Sequence, residues 1–66
     1  MNSLKLKGKI IESGYSIEEI AKLINVSGVT FRKKLKGESN FTVGESDKLR
    51  KELNLTYDEL LDIFYR

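Results

Sequence analysis

The sequence contains no cysteine, no histidine and no proline, and each absence removes a class of explanation. Without cysteine there is no disulfide to staple a small fold. Without cysteine or histidine there is no zinc site of the usual thiolate and imidazole kind. No metal or cofactor is implied, and the scattered carboxylates, lysines, tyrosines and hydroxyls form no nucleophile or acid–base constellation, so catalysis is not expected. Long apolar runs are missing too. Apolar residues recur singly or in pairs behind Met1 and the polar Asn2. Neither a signal peptide nor a membrane span is expected, and the chain reads as soluble and cytoplasmic.

The 66 residues make a single domain, 1–66, with too little interior for both a core and a substrate cleft. A binding module is therefore favoured. Chains shorter than roughly 70–80 residues need staples, a partner subunit or very regular helix packing. With disulfides and the usual zinc sites excluded, regular helix packing or self-association is left.

What the chain has is charge, unevenly placed. The net charge is only +2, yet residues 1–37 carry eight Lys or Arg against three acids, and the remainder carries four against seven. Such a dipolar molecule turns its N-terminal half toward a polyanion and its C-terminal half away.

Because proline marks no boundary, helix limits come from caps and glycines. Ser16-Ile17-Glu18-Glu19, Thr42-Val43-Gly44-Glu45 and Thr56-Tyr57-Asp58-Glu59 each match the capping box, in which a hydroxyl takes an orphan helix N–H and the later carboxylate reaches back. Ser27 caps another helix, and Ser3 or Asn2 caps the first. The expected helices run near 3–13, 16–24, 27–36, 43–53 and 57–65, with Gly14, Asn25, Gly37 and Asn54 at their left-handed C-terminal positions. No strand alternation is sustained, so the fold class is all-α.

Each segment offers an apolar stripe: Leu6 and Ile10; Ile17, Ile20, Ala21 and Ile24; Phe31 and Leu35; Val43, Leu49 and Leu53. Ser46 and Arg50 stand where the fourth helix should be apolar. The fifth helix carries Tyr57, Leu60, Leu61, Ile63, Phe64 and Tyr65, wider than one core-facing stripe, which predicts a subunit contact. Gly8, inside the first helix, is read as room for a close helix approach.

The turn between the second and third helices is short enough to force a steep crossing, the geometry of a helix-turn-helix. Ala21 is small where the helices approach, Asn25 tolerates positive φ, and Val26 and Phe31 fold inward. Gly28, Val29, Arg32, Lys33 and Lys36 are then left on the outer face of the third helix.

At this point the stretch "SIEEIAKLINVSGVTFRKKLKG" resembles the helix-turn-helix of the Cro/XRE family, the phage Cro and lambda-repressor-like DNA-binding proteins. The following "FTVGESDKLRKELNLTYDELL" is similar to that family's fourth and fifth helices. The resemblance implies a compact five-helix lambda-repressor-like domain whose third helix enters the DNA major groove. Carried over by position, it places Gly28, Val29, Arg32 and Lys33 on the base-reading face. Ser27 presents its N–H to a phosphate. Ile17 occupies a position where the family often has a polar phosphate-contacting side chain, so a contact there must use backbone N–H groups. Gly28 departs from the pattern in having no side chain to read a base, and Lys34 in being polar where an apolar residue is common.

Chemistry assigns the remaining roles. Val29 can pack on a thymine methyl, and Arg32 or Lys33 can donate to guanine O6 and N7. Lys34, Lys36, Ser39 and Asn40 suit phosphates, with Lys5, Lys7 and Lys9 as added backbone attraction. The expected function is that of a phage or prophage Cro-like repressor occupying a palindromic or near-palindromic double-stranded operator as a homodimer through Leu60, Phe64 and Tyr65. Two alternatives stand beside it: a monomer that dimerises only on DNA, with Tyr57, Leu60, Leu61 and Phe64 in its own core, and an antitoxin- or antirepressor-like protein-interaction adaptor on the same fold.

Overall fold

The computed structural model describes all 66 residues as five helices without strands: α1 (Ser3–Glu12), α2 (Ile17–Leu23), α3 (Gly28–Leu35), α4 (Val43–Glu52) and α5 (Tyr57–Phe64). No helix is long and apolar enough to cross a membrane.

Three of the four links repeat one design. Ser13-Gly14-Tyr15-Ser16, Ile24-Asn25-Val26-Ser27 and Leu53-Asn54-Leu55-Thr56 each run from a helix end through a left-handed residue and an apolar residue to a hydroxyl N-cap. The left-handed positions have φ of 81° at Gly14, 64° at Asn25 and 54° at Asn54. In each, the apolar residue's N–H reaches back five residues to close the helix: Tyr15 to the Ile10 carbonyl, Val26 to Ala21 and Leu55 to Arg50. This is the Schellman arrangement, in which a glycine or asparagine avoids the Cβ penalty and the following apolar side chain is folded back onto the core. Leu55 is buried, and Tyr15 and Val26 pack against the core. Gly37, with φ of 84°, ends α3 in the same way, but the chain then needs a longer link to reach Thr42.

All five helix starts are capped. Asn2 caps α1, Ser27 caps α3, and the capping boxes at Ser16, Thr42 and Thr56 are closed in both directions. Each cap stabilises its helix by about 1 kcal/mol, a large share for helices of only seven to ten residues, and α1 to α4 are also closed at their C-terminal ends.

The core gathers Leu6, Ile10, Ile20, Ala21, Ile24, Phe31, Leu35, Leu49, Leu53, Leu55 and Ile63. α2 packs on both α3 and α4, and α5 packs on both α1 and α4. An aromatic ladder extends outward from it, with Phe41 edge-on to Phe31 at 5.4 Å and Phe64 edge-on to Phe41 at 5.6 Å. Hydrogen bonds from the Asn2 N–H to the Ile63 carbonyl and from the Ser3 hydroxyl to the Leu35 carbonyl tie the chain start to α5 and α3.

Two expectations, for Val43 and Gly8, are corrected by the structure. Val43 is exposed, because the first turn of α4 points its side chain away from the core. Ser46 does occupy the core-facing position expected to be apolar: it is buried, and its hydroxyl donates to the Val43 carbonyl. Gly8 faces open space: a Cβ there would meet nothing within 4 Å, so it serves no close helix approach.

Candidate nucleic-acid interface

The spacing 28, 29, 32, 33 and 36 puts five residues on one side of α3. Val29, Arg32, Lys33 and Lys36 are exposed, and Gly28 is half-buried at the first helical position. Phe31, Lys34 and Leu35 face inward. The helix therefore separates an apolar inner side from a cationic outer one. Val29, at 65% exposure, is the only apolar side chain among the five outer residues and makes no core contact.

The cations of this region differ in how free they are. Lys33 and Lys36 form no ion pair, and neither does Lys7 of α1. Arg32 pairs its guanidinium with Glu18 of α2, whose carboxyl is held below its usual range by that hydrogen bond and by its own backbone N–H. Lys5 and Lys9 are turned to α5, where Asp62 and Glu59 hold them. Two of the three lysines of α1 are thus spent on the fold.

No family model, curated protein or solved structure matches the chain.

Two hollows flank α3. One, of about 450 Å3, has a largely apolar floor including Ile10, Tyr15, Ile17 and Leu35, with Lys7, Arg32 and Lys36 among its lining side chains. The half-buried Ile17 faces it from the start of α2 and packs on the core. The other, of about 570 Å3, brings Lys36, Ser39 and Asn40 together with Phe64 and Tyr65. Lys36 is shared by both hollows.

Among the phosphate candidates, Ser27, Lys36, Ser39 and Asn40 are exposed. The Ser27 hydroxyl is engaged, accepting the Thr30 N–H and donating to Thr30 Oγ1. Lys34 is corrected: it is only 7% exposed, and its ammonium donates to Glu45 and to the Asn40 carbonyl beneath the Phe41 ring. An ammonium already satisfied inside the fold is not a phosphate ligand. Its polar character, which looked like a departure at a packing position, is accommodated by the carboxylate waiting on α4.

Of the three residues expected at a subunit contact, Tyr65 is exposed, while Leu60 and Phe64 are half-buried, Phe64 in the aromatic ladder. The exposed apolar stripe of α5 is Tyr57, Leu61 and Tyr65, one helical turn apart. Sequence reasoning missed Glu18 as the partner of Arg32, since a pair 14 residues apart leaves no local signal.

Proposed function

We propose that this chain is a sequence-specific DNA-binding regulator in which α2, the Asn25 turn and α3 form a helix-turn-helix, with α3 as the recognition helix. The observation that carries this reading is the outer side of α3. Val29, Arg32, Lys33 and Lys36 stand exposed on a helix whose inner side is anchored by Phe31 and Leu35, and Lys33 and Lys36 have no internal partner. An apolar group able to meet a thymine methyl lies beside donors able to meet guanine, which is the mixture a major-groove surface needs. The four-residue link between α2 and α3, closed by Asn25 and capped by Ser27, supports the compact crossing this role requires.

Val29 and Arg32 are assigned to bases, and Lys36, Ser39 and Asn40 to phosphates. Lys33 is long and free enough for either. A repressor of the Cro/XRE kind, acting in the cytoplasm of a bacterial host by occupying an operator, fits this distribution. A second copy, docked through Tyr57, Leu61 and Tyr65 of α5, would present two recognition helices to a palindromic site.

Selection of bound duplexes from a randomised pool, at near-physiological salt so that bulk charge attraction is screened, tests the reading. The expected result is an enriched motif with two inverted half-sites about one helical turn apart. Arg32→Ala is then expected to weaken binding to that motif more than to unrelated DNA, and Lys36→Ala to weaken both equally. A pool without enrichment would reject sequence-specific readout and return these cations to the role of a solvated helix face.

A further inference from the structure

We propose that Glu18 is a positioning residue for Arg32, and that the pair commits this arginine to a base edge and withholds it from the phosphate backbone. The inference rests on the DNA-binding reading above and assigns a device for specificity within it.

The pair crosses from α2 to α3 on the outside of the molecule, with Arg32 and Glu18 side chains 49% and 60% exposed. An ion pair so exposed adds little to stability. Gly28 makes room for it. A Cβ at Gly28 would lie 3.2 Å from Arg32 Nη1 and 3.8 Å from Glu18 Cγ, so a side chain there would crowd the guanidinium. The glycine that cannot read a base is thus the residue over which the arginine is laid back toward Glu18.

The hydrogen bond to Glu18 uses Nη2, and the guanidinium has five donors in a fixed fork. Others remain for a second acceptor. The neighbouring carboxylate cancels the charge that would attract a phosphate and repels the phosphate itself, whereas the O6 and N7 acceptors of guanine are uncharged. A side chain already held on the protein also loses less freedom when it binds. Lys33 and Lys36, without carboxylate partners, keep their full attraction for the backbone. The outer side of α3 is in this way divided between one buttressed reader and two free cations.

The test compares wild type with Glu18→Gln, Glu18→Asp and the double variant Glu18→Gln/Arg32→Ala. Each is titrated with the duplex selected by wild type, with copies changed at single base pairs and with an unrelated duplex, at several salt concentrations. Glu18→Gln is expected to reduce discrimination about tenfold at one guanine-containing pair. The same variant should bind the unrelated duplex more tightly, with a salt dependence steeper by about one phosphate contact as Arg32 is released to the backbone. Glu18→Asp should restore part of the discrimination, and Glu18→Gln should change nothing at that base pair once Arg32 is Ala. A change by one common factor across all duplexes would overturn the positioning role while leaving the DNA-binding reading in place. If wild type discriminates no sequence at all, both fall. Thermal melting of each variant identifies a loss caused by unfolding; Gly28→Ala, which crowds the pair without removing a charge, must then reproduce the loss at that same base pair, or the role is rejected.

Discussion

The ammonium of Lys34 stands 2.7 Å from Glu45 Oε1, the same oxygen that accepts the Thr42 N–H in the capping box of α4. One carboxylate therefore both starts a helix and fastens it to its neighbour. The design is used twice, because Glu59, the capping-box carboxylate of α5, also holds Lys9 of α1. In a fold of five short helices, joining a local cap to a long-range tie lets each carboxylate fix helix position as well as helix start.

Removing Lys34 is expected to do more than remove a surface charge. Burial pushes the Glu45 carboxyl up, but Lys34 and the Thr42 N–H together hold it below its ordinary range. Lys34→Met keeps the stem under Phe41 and strips the ammonium from a largely buried carboxylate, at a cost on the order of 2 kcal/mol. Urea unfolding of Lys34→Met, Glu45→Gln and the double variant checks this. The double variant should recover part of the loss, because the carboxylate left uncompensated in Lys34→Met is then neutral. A loss below about 0.5 kcal/mol in the single lysine variant would place the pair among ordinary solvated surface contacts.

Acid is expected to unfold the protein through its carboxylates. The hydrogen bond from Lys9 and the Thr56 N–H pull Glu59 from its ordinary value of 4.5 to about 2. Asp62 is likewise lowered, by Lys5 and then Arg66. A group whose folded-state pKa lies below its unfolded value contributes stability that is present above the unfolded value and is lost as pH falls toward the folded one. Stability should therefore be level near neutrality, where no histidine titrates, and should fall between about pH 5 and pH 2. Urea midpoints across that range measure the slope, and Glu59→Gln should flatten it. An unchanged slope in that variant would move the acid sensitivity to other carboxylates.

Local chemistry made much of this fold legible. The three capping boxes and the four left-handed positions are read within windows of a few residues, where the geometry of a helix end leaves few choices. The second partner of each carboxylate is not local. Glu18, Glu45 and Glu59 reach Arg32, Lys34 and Lys9 across 14, 11 and 50 residues, and nothing in their neighbourhoods announces it. The same gap explains Lys34 and Val43. Helical spacing says which residues share a side, but a buried lysine requires knowing that a carboxylate waits opposite, and Val43 in the first turn of α4 has no neighbour opposite it. Leu55 is the converse case: three residues beyond the end of α4, it lies outside any helical stripe, yet the Schellman turn folds it into the core.

The aromatic residues of α5 are expected to divide into those that hold the fold and those available to a second copy. Phe64 sits edge-on to Phe41, itself edge-on to the fully buried Phe31. Phe64→Ala should cost on the order of 2–3 kcal/mol at any protein concentration, since it opens the end of the ladder. Tyr65 is 54% exposed, with its hydroxyl 3.4 Å from Ser46, and Tyr57 lies under the Arg50 guanidinium at 4.9 Å. Leu61→Lys, on the exposed stripe between them, should change the unfolding of a single subunit by under 1 kcal/mol. If that stripe joins two copies, the wild-type melting temperature rises with protein concentration and the rise disappears in Leu61→Lys, whereas Phe64→Ala lowers the curve without flattening it. Sedimentation of the same samples separates the cases, because a chain that stays monomeric at every concentration shows that this stripe does not join two copies in free solution.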